Sequence, residues 1–153
     1  MRFLEHKIPP PVVGLLIGAG MWFIAASMPK LALGDLLRWA MAGWLIAGGL
    51  SITLLGGWAF RRAQTTVNPL KPEAASTLVV AGIYRYTRNP MYVGFAMVLI
   101  GWAAYLSSPP ALLGPALFVL FITRFQIVPE ERVLSVKFGQ QFAAYKVQVR
   151  RWL

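Results

Sequence analysis

Two short runs in this chain collect the residue types that can hold a polar ligand. The first is Gly82-Ile83-Tyr84-Arg85-Tyr86-Thr87-Arg88-Asn89-Pro90-Met91-Tyr92-Val93-Gly94, at the mouth of a long apolar stretch. Pro90 suits the first turn of a helix, where its missing N–H would have no partner anyway. Asn89 is placed to cap that helix. A helix start of this kind offers unpaired N–H groups and a positive dipole end, which suit a carboxylate or phosphate. The same tyrosines and arginines equally suit a plain aromatic and basic belt at a membrane surface. The second run is Pro129-Glu130-Glu131-Arg132-Val133-Leu134, followed by Phe138-Gly139, Phe142 and Tyr145. Pro129 reads as the first residue of a helix, with two acids that complement its dipole and Gly139 able to end it. Capping alone accounts for both glutamates. Yet they are two of five acids set against 15 Lys and Arg, and they adjoin an apolar stretch, where ionisable groups are costly and mark functional candidates. A carboxylate there could hold an ammonium or hydroxyl group.

Other chemistries are excluded. The chain has no cysteine, so disulfides, thiol catalysis and cysteine metal sites are absent. His6 is its single histidine, and no histidine metal centre is expected.

The elements that position these runs read as membrane helices. Of 153 residues, 58% are hydrophobic and 13% charged, about half the charge of an ordinary soluble domain. The length fits one domain, residues 1–153. A bilayer core needs about 20 apolar residues per helix. Uncharged stretches predict an all-α integral membrane protein with four spans, near 10–28, 36–60, 91–107 and 110–127, and a C-terminal helix. Ser107, Ser108, Pro109 and Pro110 break the last stretch into a tight helical hairpin. The basic residues cluster before the first span, between the second and third, and after the fourth. That distribution predicts both termini and the middle loop on the cytoplasmic side. The net charge of +10 therefore points to anionic membrane lipids and not to nucleic acid. A rival reading takes residues 1–27 as a signal peptide with Ala25-Ala26-Ser27 as its cleavage site. Gly14 and Gly18 form a G-x-x-x-G pattern, whose plain reading is close packing between helices of this chain. Oligomeric state is not legible.

The two runs together, G-x-Y-x3-R-N-P-x-Y-x-G and E-E-x2-L-x3-F-G-x2-F-x2-Y on either side of one helical hairpin, resemble the isoprenylcysteine carboxyl methyltransferase family. That family is similar to the membrane phospholipid N-methyltransferases. The resemblance covers roughly residues 65–152, the catalytic half, and includes the polar stretch Thr65, Thr66, Asn68 and Pro69. It implies an S-adenosylmethionine-dependent methyltransferase with its cofactor pocket on the cytoplasmic face of a prokaryotic inner membrane. Its acceptor would be lipophilic, either a prenylcysteine or isoprenoid carboxylate or a lipid-like molecule. By motif position, the cofactor residues would be Ser76, Thr77, Leu78, Val79, Tyr84, Asn89, Pro90, Met91, Tyr92 and Glu130. Arg88 and Glu131 are the catalytic candidates: Arg88 would stabilise an acceptor anion or pair with Glu131. Asn89 stands where the family has a histidine. Gln126 stands where the eukaryotic enzymes place an arginine thought to bind the acceptor carboxylate, and Arg124 lies two residues before it. The competing assignments are a steroid-reductase-type membrane enzyme using a nicotinamide cofactor and a non-enzymatic adaptor or transporter subunit.

Overall fold

A computed structural model describes residues 5, 7–64 and 76–153. Thr65, Thr66, Asn68, Pro69 and His6 lie outside the described residues. Among the described residues every regular element is helical. The order is α1 (Pro10–Ala26), α2 (Asp35–Arg62), a 3-10 turn (Gly82–Arg85), α3 (Pro90–Leu106), a 3-10 turn (Pro109–Leu112), α4 (Leu113–Ile122), a π-helical turn (Thr123–Ile127) and α5 (Val128–Gln148). The helices sit where the uncharged stretches predict them. Charge brackets α2, with Asp35 in its first turn and Arg61 and Arg62 in its last, each of the sign that the dipole favours. A left-handed Ser107 ends α3, and its carbonyl accepts a hydrogen bond from Leu31 N at 2.7 Å. The α1–α2 connection is thereby tied to the α3–α4 turn.

Helix α2 and the rod from Pro109 to Gln148 are long and apolar enough to cross a membrane. Helices α1 and α3 have 17 residues each, about 25 Å at 1.5 Å per residue, short of a hydrocarbon core of about 30 Å. Large apolar side chains such as Leu36, Trp44 and Leu54 project outward from α2. A continuous exterior of this kind suits lipid and would drive association in water.

The tightest seam is α2 against α3. Gly49 lies against Gly94, Gly56 against Met91, and Gly101 against Ala42 and Leu45. Residue numbers rise on one helix as they fall on the other, so the two are antiparallel. The glycines recur at seven-residue spacing on both helices, which puts each set on one face. A Cβ on Gly94 would collide with Gly49 O and Thr53 Oγ1. Helix α1 packs on the other side, where Met21 lies over Gly114 of α4. The core is built from Met21, Ala25, Leu99, Ala103, Phe118 and Ile122.

Three expectations change. The fourth span and the C-terminal helix are one continuous rod, so Pro129 does not begin a helix; it sits in the first turn of α5, directly after the π turn. A proline inside a helix removes one backbone bond and crowds the preceding turn. The wider turn at Thr123–Ile127 absorbs this without breaking the rod. Gly139 does not end the helix outright. It adopts φ +48°, kinks α5, and the chain resumes helical geometry to Gln148. Gly14 and Gly18 do face other helices of this chain, but not as closely as the α2–α3 seam: a Cβ at Gly14 would meet Phe118 of α4 at 3.9 Å and one at Gly18 would meet Leu99 of α3 at 3.8 Å, ordinary contact distances.

Replacing Gly94 by valine is expected to lower the unfolding free energy in detergent by about 2 kcal/mol or more, as overpacking of a tight seam does. Gly57→Ala, where a Cβ meets nothing within 4 Å, is expected to leave stability unchanged or slightly raised. Denaturant titration followed by circular dichroism checks both.

Candidate active site

The two sequence runs meet. The rod carries Glu130 back beside the first turn of α3, where Tyr92 Oη donates to Glu130 Oε1 at 2.7 Å. Consecutive helical residues point about 100° apart, so Glu131 takes different partners. Its Oε1 lies 3.1 Å from Arg88 Nη2. It also accepts two hydrogen bonds from Arg151, Nε to Oε1 at 3.0 Å and Nη2 to Oε2 at 2.8 Å. The side chains of Arg88 and Glu131 are only 11% and 17% exposed, so little water competes for this pair.

The C-terminal tail closes the arrangement. Arg88 N donates to Arg150 O at 3.0 Å, and Asn89 Nδ2 donates to Arg151 O at 2.9 Å. Thr87 Oγ1 donates to Arg151 O at 3.3 Å. Trp152 Nε1 donates to Thr123 Oγ1 at 3.1 Å. Asn89 occupies the N-cap position of α3 but makes no capping hydrogen bond with its side chain; its amide nitrogen donates to the tail. Pro90 does take the first helical turn, as expected.

These contacts border a cavity of about 500 Å³, part of it open to solvent. Thr77, Leu78, Val79, Tyr84, Arg88, Asn89, Glu130 and Glu131 all line it, so eight of the sequence-selected residues converge on one space. Tyr92 reaches it through Glu130. Met91 instead packs on Gly56 of α2, Pro90 is buried in the seam, and Ser76 is exposed beside Gln64. Arg124 and Gln126 do not line the cavity. The π turn directs them to the N-terminal segment, where Arg124 pairs with Glu5 at 3.3 Å and Gln126 Nε2 donates to Ile8 O at 2.8 Å. Sequence reasoning missed Phe60, Ile127 and the tail residue Arg151. It noted Leu134, Phe142 and Tyr145 as motif positions without giving them a role, and they too line the cavity.

The electrostatics divide the two acids. Glu131 is neutralised by two guanidinium groups. Glu130, just beyond the apolar part of the rod, has one phenol as its partner. Burial raises its pKa from the usual carboxylate range to about 7; the Tyr92 hydrogen bond lowers it and the Glu131 charge raises it further. Arg88 gives one nitrogen to Glu131, while its buried Nε and Nη1 have no hydrogen-bond partner among the described residues. Aromatic walls complete the cavity. Tyr84 and Phe60 meet edge to face at 5.4 Å, and Tyr145 Oη donates to Tyr84 O at 2.7 Å. Burial pushes the Tyr84 phenol well above its ordinary pKa, so it stays neutral. The cavity thus brings together a carboxylate, guanidinium donors without partners among the described residues, and aromatic surface.

Residues 37–141, from α2 into α5, match the family model described as phospholipid methyltransferase. The chain belongs to the phospholipid methyltransferase family. Membership places it among membrane methyltransferases and agrees with the family resemblance of its two runs. Named relatives include protein-S-isoprenylcysteine O-methyltransferase B of Arabidopsis thaliana, 27% identical over 69% of this chain and 57% of that protein. The Xenopus laevis protein-S-isoprenylcysteine O-methyltransferase is 32% identical over 69% of this chain and 39% of its own length. The chain therefore aligns with only about half of these relatives or less. A Haemophilus influenzae protein described as uncharacterized is 43% identical over 41% of this chain and the whole of its own length.

Glu131→Ala is expected to strand Arg88 without a partner and to cost about 3 kcal/mol of stability. Removing residues 151–153 is expected to weaken ligand binding in the cavity without dismantling the α2–α3 seam. Thermal unfolding and near-ultraviolet circular dichroism of the two variants check this.

Proposed function

We propose that this family member transfers a methyl group from S-adenosylmethionine to a lipophilic acceptor at the cavity bordered by Glu130, Arg88 and Tyr84. The observation that carries this reading is the pairing, in one cavity, of a partly buried carboxylate with unsatisfied guanidinium donors. A ligand with an amino-acid head presents an ammonium and a carboxylate, and these groups fit that pairing. Glu130 holds the ammonium, and Arg88 Nε and Nη1 hold the carboxylate. Tyr84 and Phe60 provide the aromatic surface against which an adenine or a sulfonium packs. When bound, S-adenosylmethionine supplies a methyl carbon on a sulfonium. That methyl group would be activated for direct transfer to the acceptor's nucleophile, with the sulfur leaving as a thioether. No covalent bond to the protein is required. The protein's contribution is alignment at a near-attack distance of about 3–3.5 Å and exclusion of water.

Glu131 acts as a positioning residue, holding Arg88 in place through the clasp with Arg151. The distribution of basic residues supports a cytoplasmic position for this cavity, with the four apolar segments crossing the membrane. The named relatives support an isoprenoid-bearing or lipid-like acceptor.

Isothermal titration of the purified full chain with S-adenosylmethionine and, separately, with NADPH tests the reading. Saturable binding of the first and none of the second is expected; the reverse overturns it in favour of a reductase. The pH dependence carries a sign. Below about pH 7 the Glu130 carboxyl is protonated in the free protein and cannot neutralise an ammonium. Affinity for S-adenosylmethionine is therefore expected to fall as pH drops from 8 to 6, with a proton released on binding in the acid range.

A further inference from the structure

Arg124 and Arg132 lie outside the cavity, yet both reach one carboxylate. Arg124 Nη1 is 3.3 Å from Glu5 Oε1, and Arg132 Nη2 is 2.5 Å from Glu5 Oε2. The two arginine side chains are 53% and 49% exposed, so the cluster stands at the surface. Eight residues of unbroken α-helix would turn Arg132 about 80° away from Arg124. The π turn at Thr123–Ile127 is wider and takes up part of that rotation, which lets the two converge. Each guanidinium carries five N–H donors, and Glu5 takes one from each. One carboxylate against two guanidiniums leaves the cluster positive.

Its surroundings identify the anion that suits it. Leu113, Leu117 and Leu120 of α4 are each more than half exposed and follow one another at helical spacing. Arg124 continues the same row one turn after Leu120. From Leu113 to Arg124 the rod rises about 16 Å, close to half of a hydrocarbon core of about 30 Å. An apolar row as long as one leaflet therefore ends in a pair of cations. We infer that Arg124 and Arg132 form a headgroup site for an anionic phospholipid. Its chain lies along Leu113, Leu117 and Leu120, and its phosphate competes with the Glu5 carboxylate for the two guanidiniums. A phosphate brings more acceptor oxygens than a carboxylate and takes the same forked hydrogen bonds. An ion pair as exposed as that of Glu5 is weak, so it can be exchanged. The segment ahead of α1 then keeps its other tie, Gln126 Nε2 to Ile8 O at 2.8 Å. Free phosphate shares the headgroup chemistry but makes no use of the leucine row. This site stands whether or not the cavity transfers methyl groups.

The test uses the purified full chain in phosphatidylcholine nanodiscs. These are doped with either phosphatidylglycerol or phosphatidylcholine carrying a diazirine in one acyl chain, and photolabelled sites are mapped by mass spectrometry. Phosphatidylglycerol is expected to label Leu117 and Leu120 about fivefold more than phosphatidylcholine does. Arg124→Gln combined with Arg132→Gln is expected to erase that preference. Glu5→Gln, which removes the competitor, is expected to raise it about threefold. Arg62→Gln, at the end of α2, is expected to leave it unchanged. If the double variant loses the thermal unfolding midpoint of the wild type, Arg132→Gln alone is measured, with a smaller loss expected. Equal labelling by the two lipids overturns the proposal, as does a preference that survives loss of the arginines or ignores Glu5→Gln. Labelling just as strong at Leu50 and Leu54 of α2 also overturns it, since that marks a general attraction of a basic chain for anionic lipid. Saturable binding of inorganic phosphate in detergent, without labelling of the leucine row, overturns the lipid assignment.

Discussion

One carboxylate holds the site together. Glu131 accepts from Arg88 on one side and from Arg151 on the other, and so joins the start of α3, the start of α5 and the C-terminal tail. These segments are far apart in sequence and share no helical face. An ion pair exposed to water would contribute about 1 kcal/mol or less. Here Arg88 and Glu131 are largely shielded, and backbone carbonyls of Arg150 and Arg151 supply further acceptors to the same corner. The clasp also frees the neighbouring acid. Because Glu131 takes up the guanidinium charge, Glu130 faces the cavity with Tyr92 as its hydrogen-bond partner and remains an acceptor for a ligand.

The rest of the fold serves that corner. The glycine seam between α2 and α3 sets the backbone separation and brings Phe60, at the end of α2, against Tyr84. The hairpin at Ser107–Pro110 returns the chain along α4 so that the rod reaches the start of α3 again. The π turn lets the rod pass Pro129 unbroken and turns Gln126 into the core, where its amide secures the segment ahead of α1. Helix α1 packs against α3 and α4, opposite the tight α2–α3 seam.

Much of this was legible in the sequence because charge brackets apolar stretches so cleanly. Lys7, Arg38, Arg61, Arg88 and Arg124 bound or interrupt the runs; the first three helices match the expected stretches to within two residues, while the fourth runs on through Arg124 to Gln148. The cavity was legible through its two motifs, since their residues are the ones that carry polar atoms near an apolar surface. The tail was not. Its contacts use the carbonyls of Arg150 and Arg151, and a backbone carbonyl leaves no mark in residue type. Pro129 misled for a related reason: proline fits a helix start, but it also fits a rod whose preceding turn is widened. Gly14 and Gly18 misled because a G-x-x-x-G spacing specifies a small-residue face, not how closely another helix approaches it. Gln126 and Arg124, at and beside the family's acceptor-binding position, lie in the widened turn outside the cavity, against Ile8 and Glu5 respectively.

The most direct measurement of the central claim is transfer itself. Purified protein is incubated with S-adenosylmethionine labelled in its methyl group and a total lipid extract of the source. The account predicts label in the organic phase, carried by one lipophilic species, and its loss in a Glu130→Ala variant that remains folded. Organic-phase label that is equal in wild type and Glu130→Ala, or its absence from wild type that binds S-adenosylmethionine, contradicts it.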